Sequence, residues 1–121
     1  MPTRERVQAF VSMVEAGDYV EAIRQFYTDD ATMQENLGVT REGRNALVAH
    51  EEAVLKGVRS ITTRPGSTFA IDGDRAIVRW VFDIEQADGS KFALDELAYK
   101  NWRGDRIAQE RFYYDPAQRK P

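Results

Sequence analysis

Apolar residues in the first half of the chain recur every three or four positions. Val7, Phe10, Val11 and Val14 share one helical face. Thr3 precedes them as a cap, with Arg6 rather than Glu or Gln at the box position, and Gly17 closes the helix. Asp18 stands where the next cap is needed; Ala22, Ile23 and Phe26 then predict a short helix to about Tyr27. A third helical stretch runs from about Arg44 to Lys56, with Leu47, His50, Glu51, Val54 and Leu55 on one face. Between the second and third helices lies TDDATMQENLG, residues 28–38. Its β-prone run, Ala31-Thr32-Met33, ends on Gln34-Glu35-Asn36, so a strand directed at the core finishes with a carboxylate. Gly38 to Gly43 reads as a loop.

From residue 59 the period changes from helical to alternating. Asp72-Gly73-Asp74, Asp88-Gly89-Ser90 and Arg103-Gly104-Asp105 are turn signals between β-branched and aromatic runs. They predict four strands near 59–71, 75–86, 91–103 and 106–114 in an antiparallel meander, the first kinked at Pro65-Gly66. Helices followed by a meander imply an α+β fold, with about three helices on the concave face of a strongly curved sheet. Such a cone can enclose a cavity.

Composition narrows the partners. A length of 121 residues suits one domain spanning 1–121. The net charge of −3 and the scattered Lys and Arg argue against nucleic acid; the one dense basic pair is Arg119-Lys120. The absence of cysteine removes disulfides, thiolate metal sites and a Cys nucleophile, and fits a reducing cytoplasm. The charged start, Met1-Pro2-Thr3-Arg4-Glu5, lacks an apolar signal core. No apolar run approaches the ~20 residues of a membrane span. A soluble cytoplasmic protein with no membrane partner is the expectation.

Three stretches carry a family resemblance: VEAGDYVEAIRQFYTDDATMQENLG, EGRNAL and WRGDRIAQERFYYDP. Their order and content resemble the nuclear transport factor 2-like superfamily, which includes ketosteroid isomerases, SnoaL-like polyketide cyclases, limonene epoxide hydrolases and scytalone dehydratase. The resemblance implies a cystatin-like, SnoaL-like cone with an antiparallel or mixed sheet. It covers nearly the whole chain, and it is specific for fold rather than reaction. In ketosteroid isomerases a carboxylate base follows Asp-Asp-Ala on the same short strand; Glu35 holds that position here. The isomerase's oxyanion-hole Tyr and Asp positions are occupied by Phe10 and Ala98, so standard steroid enolisation is not expected.

Aligned with that family, Trp80, Phe82 and Ile84 face inward, as do Leu94, Glu96, Ala98, Lys100 and Trp102, and then Glu110, Phe112 and Tyr114. Trp80, Phe82, Trp102, Phe112 and Tyr114 become cavity walls, with Phe10, Tyr27 and Met33 joining them as substrate contacts. Glu35, Glu96, Glu110 and His50 become the candidate catalytic groups: Glu35 as base, His50 or Glu96 as the paired acid. The plainer readings are that Glu35 caps a wet strand end, that Glu96 and Glu110 lie one register out, and that the lone His50 is a surface residue. Arg44 or Lys100 would be the structural partner of an inward acid.

The expected ligand is a hydrophobic small molecule, with no cofactor and no metal. Isomerase, cyclase, dehydratase and epoxide hydrolase chemistry stay open, the last disfavoured because Arg79 and Asp83 point out of the cone. A non-catalytic ligand-binding or dimerisation module is the alternative. Val81, Leu97, Tyr99 and Tyr113, among Arg79, Asp95, Asn101 and Arg111, would expose an apolar outer sheet face suited to a homodimer.

Overall fold

The computed structural model describes residues 1–119. Helix α1 (Arg4–Glu15) starts at Thr3, whose hydroxyl accepts the Arg6 amide at 3.0 Å. The cap therefore forms without the rest of the box. The face carrying Val7, Phe10, Val11 and Val14 is buried, worth roughly 1.5–3 kcal/mol for each large side chain. Gly17, at φ 87°, turns the chain into α2 (Tyr19–Phe26). Asp18 does not cap α2 with its side chain, contrary to expectation. Its ψ of 57° departs from the extended conformation a cap adopts, and its carbonyl alone receives the Ala22 amide. Helix α3 (Arg44–Gly57) buries Leu47 and Val48 and turns His50 and Glu51 to a half-buried position.

The strands are β1 (Tyr27–Glu35), β2 (Arg41–Glu42), β3 (Val58–Thr63), β4 (Phe69–Asp72), β5 (Arg75–Gln86), β6 (Lys91–Arg103) and β7 (Arg106–Tyr113). Among the described residues they form one sheet in the order β2-β1-β7-β6-β5-β3, with β4 also paired to β5. The expected 59–71 strand is two strands. β3 pairs with the C-terminal half of β5 and β4 with its N-terminal half, and Pro65-Gly66 lies in the detour between them. Only β3 to β7 form the antiparallel meander. β1 runs parallel to β7, with Met33 opposite Glu110 and Glu35 opposite Phe112, so the sheet is mixed. The Gly38–Gly43 loop contains β2, which pairs antiparallel with β1.

A register shift between Asn101 and Trp102 brings Trp102 opposite Ile107 while Asn101 stays opposite Gln109. The shift leaves Ala108 as an extra residue on β7, as in a β-bulge. Ile107 and Glu110 are three residues apart, and strict alternation would send them to opposite faces. The bulge lets both be buried on the helix side. Phe10 on α1 packs edge-on to Trp80 and Trp102, with ring centroids 6.2 and 6.4 Å away, and this contact anchors the helices to the sheet. Among the described residues no helix is long and apolar enough to cross a membrane.

Candidate functional site

The helices cover only part of the concave face, leaving a cavity of about 420 Å³. Its apolar walls come from three directions. Phe10, Tyr19 and Ile23 approach from the first two helices; Trp80, Phe82 and Leu94 come from β5 and β6; Met33 and Phe112 come from β1 and β7. Strand pairing sets the polar groups among them. Glu96 lies opposite Trp80, and Lys100 lies opposite Glu110. His50 and Glu51 enter from α3. Glu35 and Tyr114 line the cavity from the end of β1 and from just beyond β7.

The floor is a buried network. Both oxygens of the Glu110 carboxylate are engaged: the Tyr27 hydroxyl donates to one at 2.5 Å, and the Lys100 ammonium donates to the other. Both side chains of that ion pair are essentially inaccessible to solvent. Burial raises the Tyr27 hydroxyl above its ordinary value, helped by the charges of Glu51 and Glu96, so it is a permanent donor. Burial pulls the Lys100 ammonium down, while the Glu96 carboxylate acts in the opposite sense. The ammonium also sits 5.0 Å from the Phe10 ring centre and 5.6 Å from that of Phe112.

Glu96 has no hydrogen-bonding partner among the described residues to stabilise its charge. Burial raises it to about 8, partly offset by Lys100 and reinforced by Glu35. It is therefore a neutral acid at pH 7. Glu51 is raised in the same direction by burial and then by Glu35. His50 is lowered by burial and by Arg41, so its imidazole is neutral. Glu35 differs from these groups. Its side chain is 35% exposed at the mouth, with the Arg119 guanidinium 3.6 Å away and the Tyr114 hydroxyl at 3.4 Å. It both lines the cavity and touches solvent.

Eleven of the twelve expected site residues line this cavity; Trp102 does not. Its ring is buried beneath α1 against Phe10, and its indole N–H is buried without a partner among the described residues. Alternation places Trp102 on the correct side but says nothing of depth. Arg44 does not neutralise an inner acid: it pairs with Asp29 at the surface, while Lys100 takes Glu110. Glu51, adjacent to His50 on the same helix face, belongs to the cavity, as does Arg119 from the 3-10 turn at Pro116–Arg119. The sequence marks Arg119 only as half of a basic pair and not as a cavity residue. Lys120 lies outside the described residues. Among the described residues no three His, Asp or Glu converge closely enough to hold a metal ion.

A curled mixed sheet capped by three helices is the architecture of the SnoaL-like class of cone folds. Residues 7–110 match the SnoaL-like domain family, and the chain belongs to it. No curated protein matches the chain in sequence. A protein from Mesorhizobium loti described as a candidate SnoaL-like polyketide cyclase superposes with a TM-score of 0.79 at 23% identity, over 94% of this chain and 100% of that one. A Catenulispora acidiphila protein with a ketosteroid isomerase-like fold, solved with trimethylamine, gives a TM-score of 0.80 at 19% identity, over 96% and 89% of the two chains. TerC, co-crystallised with polyporic acid, gives 0.78 at 18% identity over 93% and 91%. At these identities the likeness is one of fold.

Proposed function

We propose that the cone binds an apolar, carbonyl-bearing or cyclic small molecule and moves protons on it with a pair of carboxyl groups. The observation that carries this reading is Glu96, an acid that burial keeps protonated, facing an aromatic cavity with a second carboxyl, Glu35, at its mouth. Two acids in contrasting surroundings can divide the acid and base roles between them. Neutral Glu96 donates a hydrogen bond to the oxygen that gains charge, replacing the donors absent at Phe10 and Ala98. Glu35 takes the carbon-bound proton. Glu110, with both oxygens occupied, serves as the counter-ion of Lys100, and neutral His50 is a hydrogen-bonding wall. This chemistry is that of an isomerase, cyclase or dehydratase working without a cofactor.

The test pairs binding with turnover. Hydrophobic ketones that raise the melting temperature are incubated with the protein in D2O, and exchange of the protons next to the carbonyl is followed by NMR. Glu35→Gln is expected to retain binding and lose exchange by at least ~100-fold. Unchanged exchange removes the base assignment. A non-catalytic binding module is favoured by one observation, the Arg119 guanidinium beside Glu35. That reading predicts binding with no exchange in the unaltered chain.

The outer sheet face supports a homodimer. Leu97, Tyr113 and Ile77 are 47%, 44% and 39% exposed there, whereas Val81 and Tyr99 are half-buried rather than exposed. A reducing cytoplasm suits the cysteine-free chain.

A further inference from the structure

Lys100 is not used by the acid–base scheme, yet it lines the cavity. Two other lysines among the described residues, Lys56 and Lys91, are exposed. Lys100 is 1% exposed and surrounded by aromatic rings, and Glu110 is its hydrogen-bond partner. An ammonium has three N–H groups. Among the described residues Glu110 is the one hydrogen-bond partner found for them, and Nζ otherwise lies among the Phe10, Trp80 and Phe112 rings. Burying a charge in this way is costly, and hydrophobic replacements of buried ion pairs are often as stable or more so. A buried lysine in an apolar pocket has, in return, the properties of an amine nucleophile: desolvation pulls its pKa down, as it does here.

We propose that Lys100 forms a covalent imine with aldehydes or ketones bound in the cone, giving this site a second, nucleophilic chemistry. The proposal rests on the reading that the cavity takes carbonyl-bearing molecules.

The groups needed for each proton are in place. The Glu110 carboxylate accepts a proton from the Lys100 ammonium across their existing hydrogen bond. The freed lone pair on Nζ attacks the carbonyl carbon; the C–N bond forms as the C=O π pair moves to oxygen. Neutral Glu96 supplies that oxygen with a proton, and its carboxylate then takes one proton from the now cationic nitrogen, giving a neutral carbinolamine. Protonated Glu110 returns its proton to the hydroxyl group. The C–O bond breaks, water leaves and the nitrogen lone pair closes the C=N bond. Two ammonium hydrogens have left with the oxygen, and the iminium retains the positive charge opposite the restored Glu110 carboxylate. Tyr27, donating to the other Glu110 oxygen, holds that carboxylate in position throughout. No oxidant or reductant takes part.

The experiment incubates the full chain at neutral pH with benzaldehyde or 2-acetylnaphthalene, with and without sodium cyanoborohydride, and reads intact mass and tryptic peptides. Thermal shift with the same two compounds is measured in parallel. A single adduct, heavier by the ligand's mass less one oxygen atom, is expected on Lys100, blocking tryptic cleavage after that residue. Lys100→Met/Glu110→Gln, which removes both buried charges together, should lose the adduct at least tenfold while still being stabilised by the ligand. Mapping on the unaltered chain does not depend on how well any variant folds. Binding without an adduct, or adducts confined to exposed lysines and the terminal amine, overturns the imine and leaves the cavity reading intact. No thermal shift and no adduct overturns both.

Discussion

Neighbouring residues on β6 meet opposite fates. Asp95 points out and Glu96 points in. Asp95 receives two hydrogen bonds from Arg79, at 3.0 and 2.6 Å, and Asp83 on β5 receives two from Arg64, at 2.9 and 2.8 Å. These outer acids are paired, wet and lowered by their arginines. Glu96, one residue along, is buried on the cavity wall, without a hydrogen-bonding partner among the described residues, and raised by burial. The outer face shows how this sheet accommodates charge when nothing but folding is required. The inner face departs from that solution at Glu96, Lys100 and Glu110, and sites that accept such a cost are where ligand chemistry is expected.

The contrast can be broken first at Lys100. Removing its ammonium strands the Glu110 carboxylate beneath the helices, so Lys100→Met should destabilise the fold by roughly 3–5 kcal/mol in chemical denaturation. Removing both charges, as Lys100→Met/Glu110→Gln, should recover most of that loss, since Gln still accepts the Tyr27 hydroxyl. Equal stability of the single and double variants would show that the pair is not isolated from water.

A smaller effect is expected from Glu96. Folding lifts its pKa from 4.5 to about 8, so between those values the folded chain keeps a proton the unfolded chain has released. Its contribution is complete below the lower value and is lost as pH rises through the window, at most about 1.4 kcal/mol per pH unit. Glu51 acts in the same sense, and Lys100, displaced downward, acts in the opposite sense on the alkaline side. Stability should therefore decline from about pH 5 to about pH 7, and Glu96→Gln should flatten most of that slope. An unchanged slope would place Glu96 in contact with solvent.

The outer face should give the smallest change in stability. Arg79→Ala removes a well-formed but exposed pair, and its unfolding midpoint should stay within measurement error. Leu97→Lys on the same face should leave the fold equally stable while converting a dimer to a monomer in light scattering. A mass that is the same for both proteins removes the dimer proposal.

How much of this was readable in advance follows from the range of each signal. The three helices show in the sequence because a 3.6-residue period is local, and Val7, Phe10, Val11 and Val14 display it without help from the rest of the chain. The run from β4 to β7 shows because its three turns carry Gly at Gly73, Gly89 and Gly104, all with positive φ. The parallel pairing of β1 with β7 joins segments about eighty residues apart, and no local pattern records it. Alternation gave the side on which Trp102 lies but could not give its depth under Phe10. The Asp18 cap failed because a residue type does not determine ψ. The inward acids were legible only through the family resemblance. Arg119 reaches Glu35 from a turn whose position depends on the whole sheet.

The joining of β1 to β7 has a consequence for how the protein is made. A nascent chain emerging from the ribosome can coil its helices early, but Glu35's strand lacks its long neighbour until the final hairpin has been translated. Tyr27 waits for a carboxylate 83 positions downstream. Such distant contacts are slow to form. The binding chamber therefore cannot form until β7 has been made, and shortened versions ending before Arg106 should have none.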